Sequence, residues 1–189
     1  MIYRIGRFIC WIILKVFFKI QVKGRDVLPY KQPFILASNH ISHLDPVVLG
    51  VANPPFLGYL GKEELFKHKL LGSFFKCVGV IPLERGKSDI KAMRTALKVL
   101  KEKPLVIFPQ GSRSDDFDKF KTGVGFLYRR SGAPIIVAKI RGTDKILAKG
   151  SKWPKLGKIR VVFGKVEGIS PKDDYDDIAK KVVEKIRSL

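Results

Sequence analysis

Four apolar residues, Phe34-Ile35-Leu36-Ala37, stop abruptly at Ser38-Asn39-His40, and an Asp45-Pro46 pair follows the histidine five residues later. An apolar run of that length reads as a buried strand, and Asp-Pro is a helix-start signal. The stretch Pro33 to Pro46 therefore predicts strand, turn and helix. His40 would stand at the carboxyl end of a strand and Asp45 would cap the next helix, with a turn short enough to fold the carboxylate back on the imidazole. Open α/β sheets carry their sites at such strand ends.

The rest of the chain repeats the pattern. Phe56 to Leu60 reads as a second strand, Val78 to Leu83 as one ending at Glu84-Arg85-Gly86, and Leu105 to Phe108 as one running into Pro109-Gln110-Gly111-Ser112-Arg113-Ser114. Pro134 to Ile140 is a core strand, and Ile159, Val161 and Phe163 alternate as the last. Helices are expected at Pro46 to Ala52, stopped by Asn53-Pro54-Pro55, at Glu64 to Lys76, and at Asp89 to Glu102 behind a Ser88 cap. Lys121 to Arg130 should be helical with Gly132 as its stop, and Ser170-Pro171 should open a terminal helix, acidic at its start and basic at its end. The 189 residues suit one α/β domain, 26–189, behind an N-terminal segment, 1–25.

That segment holds Arg4, Arg7, Lys15, Lys19, Lys23 and Arg25 and no acid. At about 100° per residue, Arg4, Arg7, Lys15 and Lys19 share a third of the helical wheel with Trp11, leaving a broad apolar face. Such a helix suits a membrane interface; docking part of the face on the chain's own domain is the competing reading. The uncharged run Phe8 to Leu14 is far short of the ~20 residues that span a bilayer. Lys15 and Lys19 also interrupt any secretory-signal core, and no small-residue cleavage site follows.

With 37 Lys+Arg against 17 Asp+Glu, the net charge of +20 selects anionic partners: a membrane surface, phosphorylated small molecules, an acidic carrier protein or nucleic acid. From Lys139 to Arg160 the bases Lys139, Arg141, Lys145, Lys149, Lys152, Lys155, Lys158 and Arg160 face Asp144 alone, with Trp153 among them. The segment suits lipid headgroups, a cofactor phosphate or nucleic acid, or else is a solvated loop around one buried tryptophan. Cys10 and Cys77 have no metal-ligand spacing, fit a reducing compartment and are expected to fill apolar sites.

A neutral imidazole that donates one N–H to Asp45 can accept a hydroxyl proton on its other nitrogen. The chain has no GxSxG elbow and no distinctive nucleophilic cysteine, so the pair suits activation of an incoming hydroxyl rather than an acyl-enzyme. His40, His43 and Asp45 lie close in sequence, but only His68 remains to complete a metal site, and no metal is expected. The stretch after Phe108 offers a glycine-turned backbone, two hydroxyls and a guanidinium, the parts of an anion cradle, on which Arg85 can converge.

These blocks together resemble the lysophosphatidic acid acyltransferase family, the bacterial 1-acyl-sn-glycerol-3-phosphate acyltransferases. Asn39-His40-Ile-Ser-His-Leu-Asp45 looks like its NHxxxxD motif. Lys62-Glu63-Glu64-Leu65, Gly79-Val-Ile-Pro-Leu-Glu-Arg85-Gly86, Phe108-Pro-Gln-Gly-Ser-Arg113-Ser114 and Ala133-Pro-Ile-Ile-Val-Ala138 follow in order. The resemblance implies a mixed central sheet flanked by helices, with an N-terminal amphipathic membrane-associating helix. It implies transfer of a fatty acyl group from acyl-CoA or acyl-acyl carrier protein to the 2-hydroxyl of lysophosphatidic acid, giving phosphatidic acid without a bound cofactor. His40 would be the general base and Asp45 its orienting partner, while Arg85, Arg113, Gly111, Ser112, Gln110, Lys62 and Asn39 would form the substrate side.

The third block departs from the family's FPEGTRS at Gln110 and Ser112. Serine keeps the hydroxyl, whereas Gln for Glu keeps the shape, loses the charge and gains a donor. The partners implied are an anionic membrane surface, a lysophospholipid and an acyl carrier protein, without nucleic acid. The protein would sit as a peripheral or monotopic protein on the cytoplasmic face of the membrane. The alternatives are the same chemistry on another lysolipid or amine-bearing lipid, or a non-catalytic basic module binding membrane or nucleic acid. The last gives no reason for the His40–Asp45 spacing or for Arg113 at a second strand end.

Overall fold

The run Phe34-Ile35-Leu36-Ala37 lies at the heart of the sheet and is fully buried. A strand paired on both edges and covered on both faces leaves nothing to solvate, which is why it carries no polar alternation. The computed structural model describes residues 2–53, 56–62, 66, 67, 72, 73, 75, 79–83, 89–113, 118–148, 150, 151 and 153–189. Its strands are β1 (Gln21–Lys23), β2 (Ile35–Ser38), β3 (Gly58–Lys62), β4 (Val80–Leu83), β5 (Leu105–Ile107), β6 (Ile135–Arg141) and β7 (Arg160–Lys165). The helices are α1 (Ile2–Val16), α2 (Asp45–Ala52), α3 (Asp89–Leu100), α4 (Gly123–Ser131), α5 (Thr143–Ile146) and α6 (Tyr175–Ser188).

The strands form one mixed sheet in the order β1-β7-β6-β2-β5-β3-β4. Only the β6–β7 pairing is antiparallel among the described residues. β2 sits between β5 and β6, so the carboxyl ends of all three strands emerge together on one edge. Alternate residues feed two cores. Leu36, Ile136, Ala138 and Ile140 pack with residues of α1 and α2 on one face. Ile35, Ala37, Ile135 and Val137 pack with α3, α4 and α6 on the other. On the second face Gly125 of α4 comes so near α6 that a Cβ would collide with the Tyr175 backbone.

Several boundaries differ from expectation. α6 starts at Tyr175 rather than at Ser170-Pro171, because Ser170 and Asp173 close a turn of their own: the Asp173 N–H donates to Ser170 C=O at 3.0 Å and the Ser170 N–H to Asp173 Oδ2 at 3.1 Å. α4 starts two residues after Lys121 and does end at Gly132, whose φ of 67° is the left-handed cap a glycine adopts readily. β3 runs from Gly58 to Lys62, displaced from the expected 56–60. Ser88 and most of the expected helix from Glu64 to Lys76 lie outside the described residues.

The first 25 residues divide between two surroundings. Leu14, Phe18 and Ile20 enter the core, Cys10 packs against it, and Gln21–Lys23 pairs with β7. Arg7 and Arg25 donate to the carbonyls of Val51 and Ala52, the bare C-terminal acceptors of α2, where cations are favoured. Ile5, Phe8, Ile9, Ile12, Ile13 and Val16 stay exposed on the far side of α1. No helix of the described residues is long and apolar enough to cross a membrane.

Candidate active site

The turn from β2 to α2 is held from inside. The Asn39 amide donates to Ile140 C=O at 2.8 Å and its oxygen accepts from Ile140 N–H at 2.7 Å, locking the end of β2 to β6. Ser42 donates its hydroxyl to Leu147 C=O at 3.0 Å. Asp45 does not cap α2 from outside but is its first residue, preceded by Leu44, which makes no side-chain cap. Its carboxylate bends back over the turn, where Oδ2 accepts the N–H groups of Ile41 at 2.7 Å and Ser42 at 2.8 Å. Oδ1 accepts the Thr143 hydroxyl at 2.7 Å.

Against this fixed carboxylate stands His40, its Nδ1 2.9 Å from Asp45 Oδ2. Both Asp45 oxygens are already acceptors, so Nδ1 is the donor, and in the neutral ring the lone pair is then on Nε2. Asp45 is fully buried, while the His40 side chain retains 19% exposure, enough for a substrate to reach it. The ring also lies on Phe108, centroids 4.1 Å apart and planes 19° from parallel. Gln110, at the tip of the β5 loop, accepts the His40 backbone N–H at 2.8 Å.

The loop Phe108–Arg113 turns at Gly111, whose φ is 69° and whose missing Cβ leaves room for the Lys121 stem, 3.0 Å from where it would be. Ser112 is exposed and Arg113 half-buried. Arg113 is near enough to act on His43: partial desolvation first, then the electrostatic influence of Arg113 and of the neighbouring His40, lower the His43 pKa below the ordinary imidazole value, with Asp45 opposing. Strand ends β2 and β5 thus bring an imidazole with its carboxylate partner beside the loop that carries Arg113. Arg85 and the side chain of Lys62 lie outside the described residues, although Lys62 closes β3. Among the described residues no three His, Cys, Asp or Glu side chains group as metal ligands.

The Acyltransferase family model matches residues 19–141, well over half of the chain, including His40, Asp45 and the loop Phe108–Arg113. The chain belongs to the Acyltransferase family. It is 31% identical over 147 residues to the 1-acyl-sn-glycerol-3-phosphate acyltransferase of Bacillus subtilis (strain 168), covering 77% of this chain and 72% of that protein. It is 30% identical over 156 residues to a chloroplastic 1-acyl-sn-glycerol-3-phosphate acyltransferase of Arabidopsis thaliana, covering 79% of this chain but only 44% of the plant protein. The crystal structure of the 1-acyl-sn-glycerophosphate acyltransferase of Thermotoga maritima has the same fold, with a TM-score of 0.73 at 22% identity, over 99% of this chain and 82% of that one. An acyltransferase homologue replaces the non-catalytic binding module among the readings of the sequence.

Within this acyltransferase, two residues of the expected substrate side face inward. Asn39 is 3% exposed with both ends of its amide engaged by Ile140, and Gln110 is 8% exposed with its oxygen on the His40 N–H. Gln110 holds the backbone N–H of His40, and Asn39 ties the adjoining end of β2 to β6. Gln110 therefore fills one structural duty open to a glutamate at its position, because an amide oxygen accepts a backbone N–H as a carboxylate does. Thr143 and Phe108 were not singled out by sequence reasoning. The signal for Thr143 is Gly142-Thr143 directly after β6, a small hydroxyl at one more strand end; for Phe108 it is an aromatic residue at the last position before the Pro-Gln-Gly turn.

Proposed function

We propose that this acyltransferase moves a fatty acyl group from a thioester, acyl-CoA or acyl-acyl carrier protein, to the 2-hydroxyl of lysophosphatidic acid. The observation that carries the reading is the His40–Asp45 contact of 2.9 Å within a carboxylate held by three further donors. Nε2 takes the hydroxyl proton as the oxygen attacks the thioester carbonyl; the tetrahedral intermediate collapses, the C–S bond breaks, and the proton leaves with the thiolate. Arg113, the Gly111-Ser112 turn and Lys121 receive the acceptor's phosphate, with Arg85 and Lys62 as the remaining cations. The outer face of α1, with Arg4 and Lys15 along its edge, adsorbs to an anionic membrane surface and delivers the enzyme to its lipid substrate.

Thioester-dependent acylation of lysophosphatidic acid by the wild type and His40→Ala tests the chemistry. The expected loss is about 10²- to 10⁴-fold in kcat, the usual worth of a positioned base. Equal product from both proteins would remove His40 from the mechanism. Turnover confined to another lysolipid or an amine-bearing lipid would keep the mechanism and replace the acceptor. Because Leu14, Phe18 and Ile20 belong to the core, membrane adsorption is tested by serine at Ile9, Ile12 and Val16 rather than by truncation. Undiminished flotation of that variant with anionic liposomes would reject the helix as an anchor.

A further inference from the structure

The segment 147–158 is basic and aromatic, and the acyl transfer gives it no task. Its stem is tied to the frame on both sides. Leu147 C=O accepts the Ser42 hydroxyl at 3.0 Å, the Lys155 N–H donates to Ile146 C=O at 2.8 Å, and the Ile159 N–H donates to Phe18 C=O at 3.0 Å. Gly157 lies so close on Ile146 that a side chain there would collide with it. Between these ties Trp153 is 81% and Leu156 78% exposed, more than any outward apolar residue of α1, where the maximum is 61% at Val16. Ser151 Oγ donates to Trp153 C=O at 2.9 Å, and Trp153 and Leu156 present their side chains outward.

A pinned loop that turns tryptophan and leucine to water is poorly solvated alone and marks a contact surface. The charge around it selects the partner. Lys145, Lys155 and Lys158, on the segment or just before it, are exposed, and Asp144 is the only acid between Lys139 and Arg160. Tryptophan, leucine and lysine together form the composition of a bilayer interface, where the ring sits among headgroups and the ammonium groups meet phosphate. Location adds to this. The Ser42 tie joins one end of the loop to the His40–Asp45 turn, and the Phe18 tie joins the other to the chain leaving α1, whose outer face is apolar.

We propose that the loop 147–158 is a second membrane contact, with Trp153 and Leu156 entering the headgroup region of an anionic bilayer and Lys145, Lys155 and Lys158 on its phosphates. A single helix lying on a surface can roll about its own axis. A second contact away from α1 would stop that roll and fix the orientation in which the His40–Asp45 turn meets the bilayer and its lysolipid. The meeting with lysolipid rests on the acyl-transfer reading above; the contact itself does not.

The test uses the full chain with Trp11→Phe, which leaves Trp153 as the sole tryptophan of the two. On vesicles of phosphatidylglycerol and phosphatidylcholine its emission is expected to shift to the blue and to be quenched by brominated lipid. Adding Leu156→Ser and Trp153→Ser to the wild type should weaken vesicle binding about tenfold, read by flotation. Turnover of a short-chain, monomeric lysophosphatidic acid should stay unchanged. Emission unmoved by vesicles, or unchanged flotation of the double variant, would overturn the proposal, as would a response to duplex DNA or to an acidic carrier protein in place of vesicles. A protein whose Trp153 enters lipid but which acylates nothing would refute the acyl-transfer reading and leave this one standing.

Discussion

Asp45 is fully buried and accepts from His40, Ile41, Ser42 and Thr143, whereas Arg113, one loop away, is half-buried and makes no hydrogen bond or ion pair among the described residues. The two halves of the site thus differ in how much is settled before a substrate arrives. Proton transfer works only within a narrow range of distance and angle, so the base must be held beforehand by groups that do not move. A phosphate brings its own charge and several acceptor oxygens, and a guanidinium on a flexible stem can close on it after arrival. On the proposed acyl-transfer reading, rigidity is placed where the chemistry needs geometry, and freedom where it needs charge.

The sharpest test of that contrast is Asp45→Asn. An amide cannot accept at every position the carboxylate does and presents an NH₂ to donors, so kcat should fall by about 10²- to 10⁴-fold, measured by steady-state acylation. Arg113→Ala should behave differently, raising KM for the phosphate-bearing acceptor roughly 10- to 100-fold while changing melting temperature little, because only a contact to a charged ligand is lost. If Arg113→Ala instead unfolds the protein, the loop is as structural as the turn and the contrast fails.

Thr143→Val separates positioning from folding. It strips Oδ1 of its donor and should cost about 1–3 kcal/mol in denaturant unfolding, with kcat lowered and KM unchanged; a KM effect would place Thr143 against substrate. Smallest of all is the pH response of His43. Its pKa is lowered in the fold, so the unfolded chain binds more protons just below the ordinary imidazole pKa of about 6.5. The contribution of His43 to stability is complete above that value and is lost as the pH falls through the lower, folded pKa. His43→Gln should flatten the melting temperature across that window, and an unchanged slope would remove the influence of Arg113 on this ring.

Much of this was legible in the linear chain because the relevant spacings are short. A buried strand, a tight turn and an Asp-Pro helix start lie within Pro33 to Pro46, so the pairing of His40 with Asp45 needed no distant information. Asn39 and Gln110 were legible as site residues but not in their orientation. Whether an amide faces substrate or a neighbouring strand depends on β6 and on the loop after β5, which lie 101 and 70 residues away in the bonds they make. Trp153 was expected in one reading to be buried, and it is the most exposed outward apolar side chain among the described residues, since composition alone does not say which way a pinned loop points its side chains.

The sequence by itself determined the α/β character, the pairing of His40 with Asp45 and the basic balance, because apolar run length, local turn chemistry and charge are properties of neighbours along the chain. The tertiary structure alone decided that Thr143 completes the Asp45 carboxylate, that Phe108 backs the imidazole, and that Asn39 and Gln110 support the His40 turn from within. Those contacts join strand ends far apart in sequence, and only the order in which the strands pair brings them to one edge of the sheet.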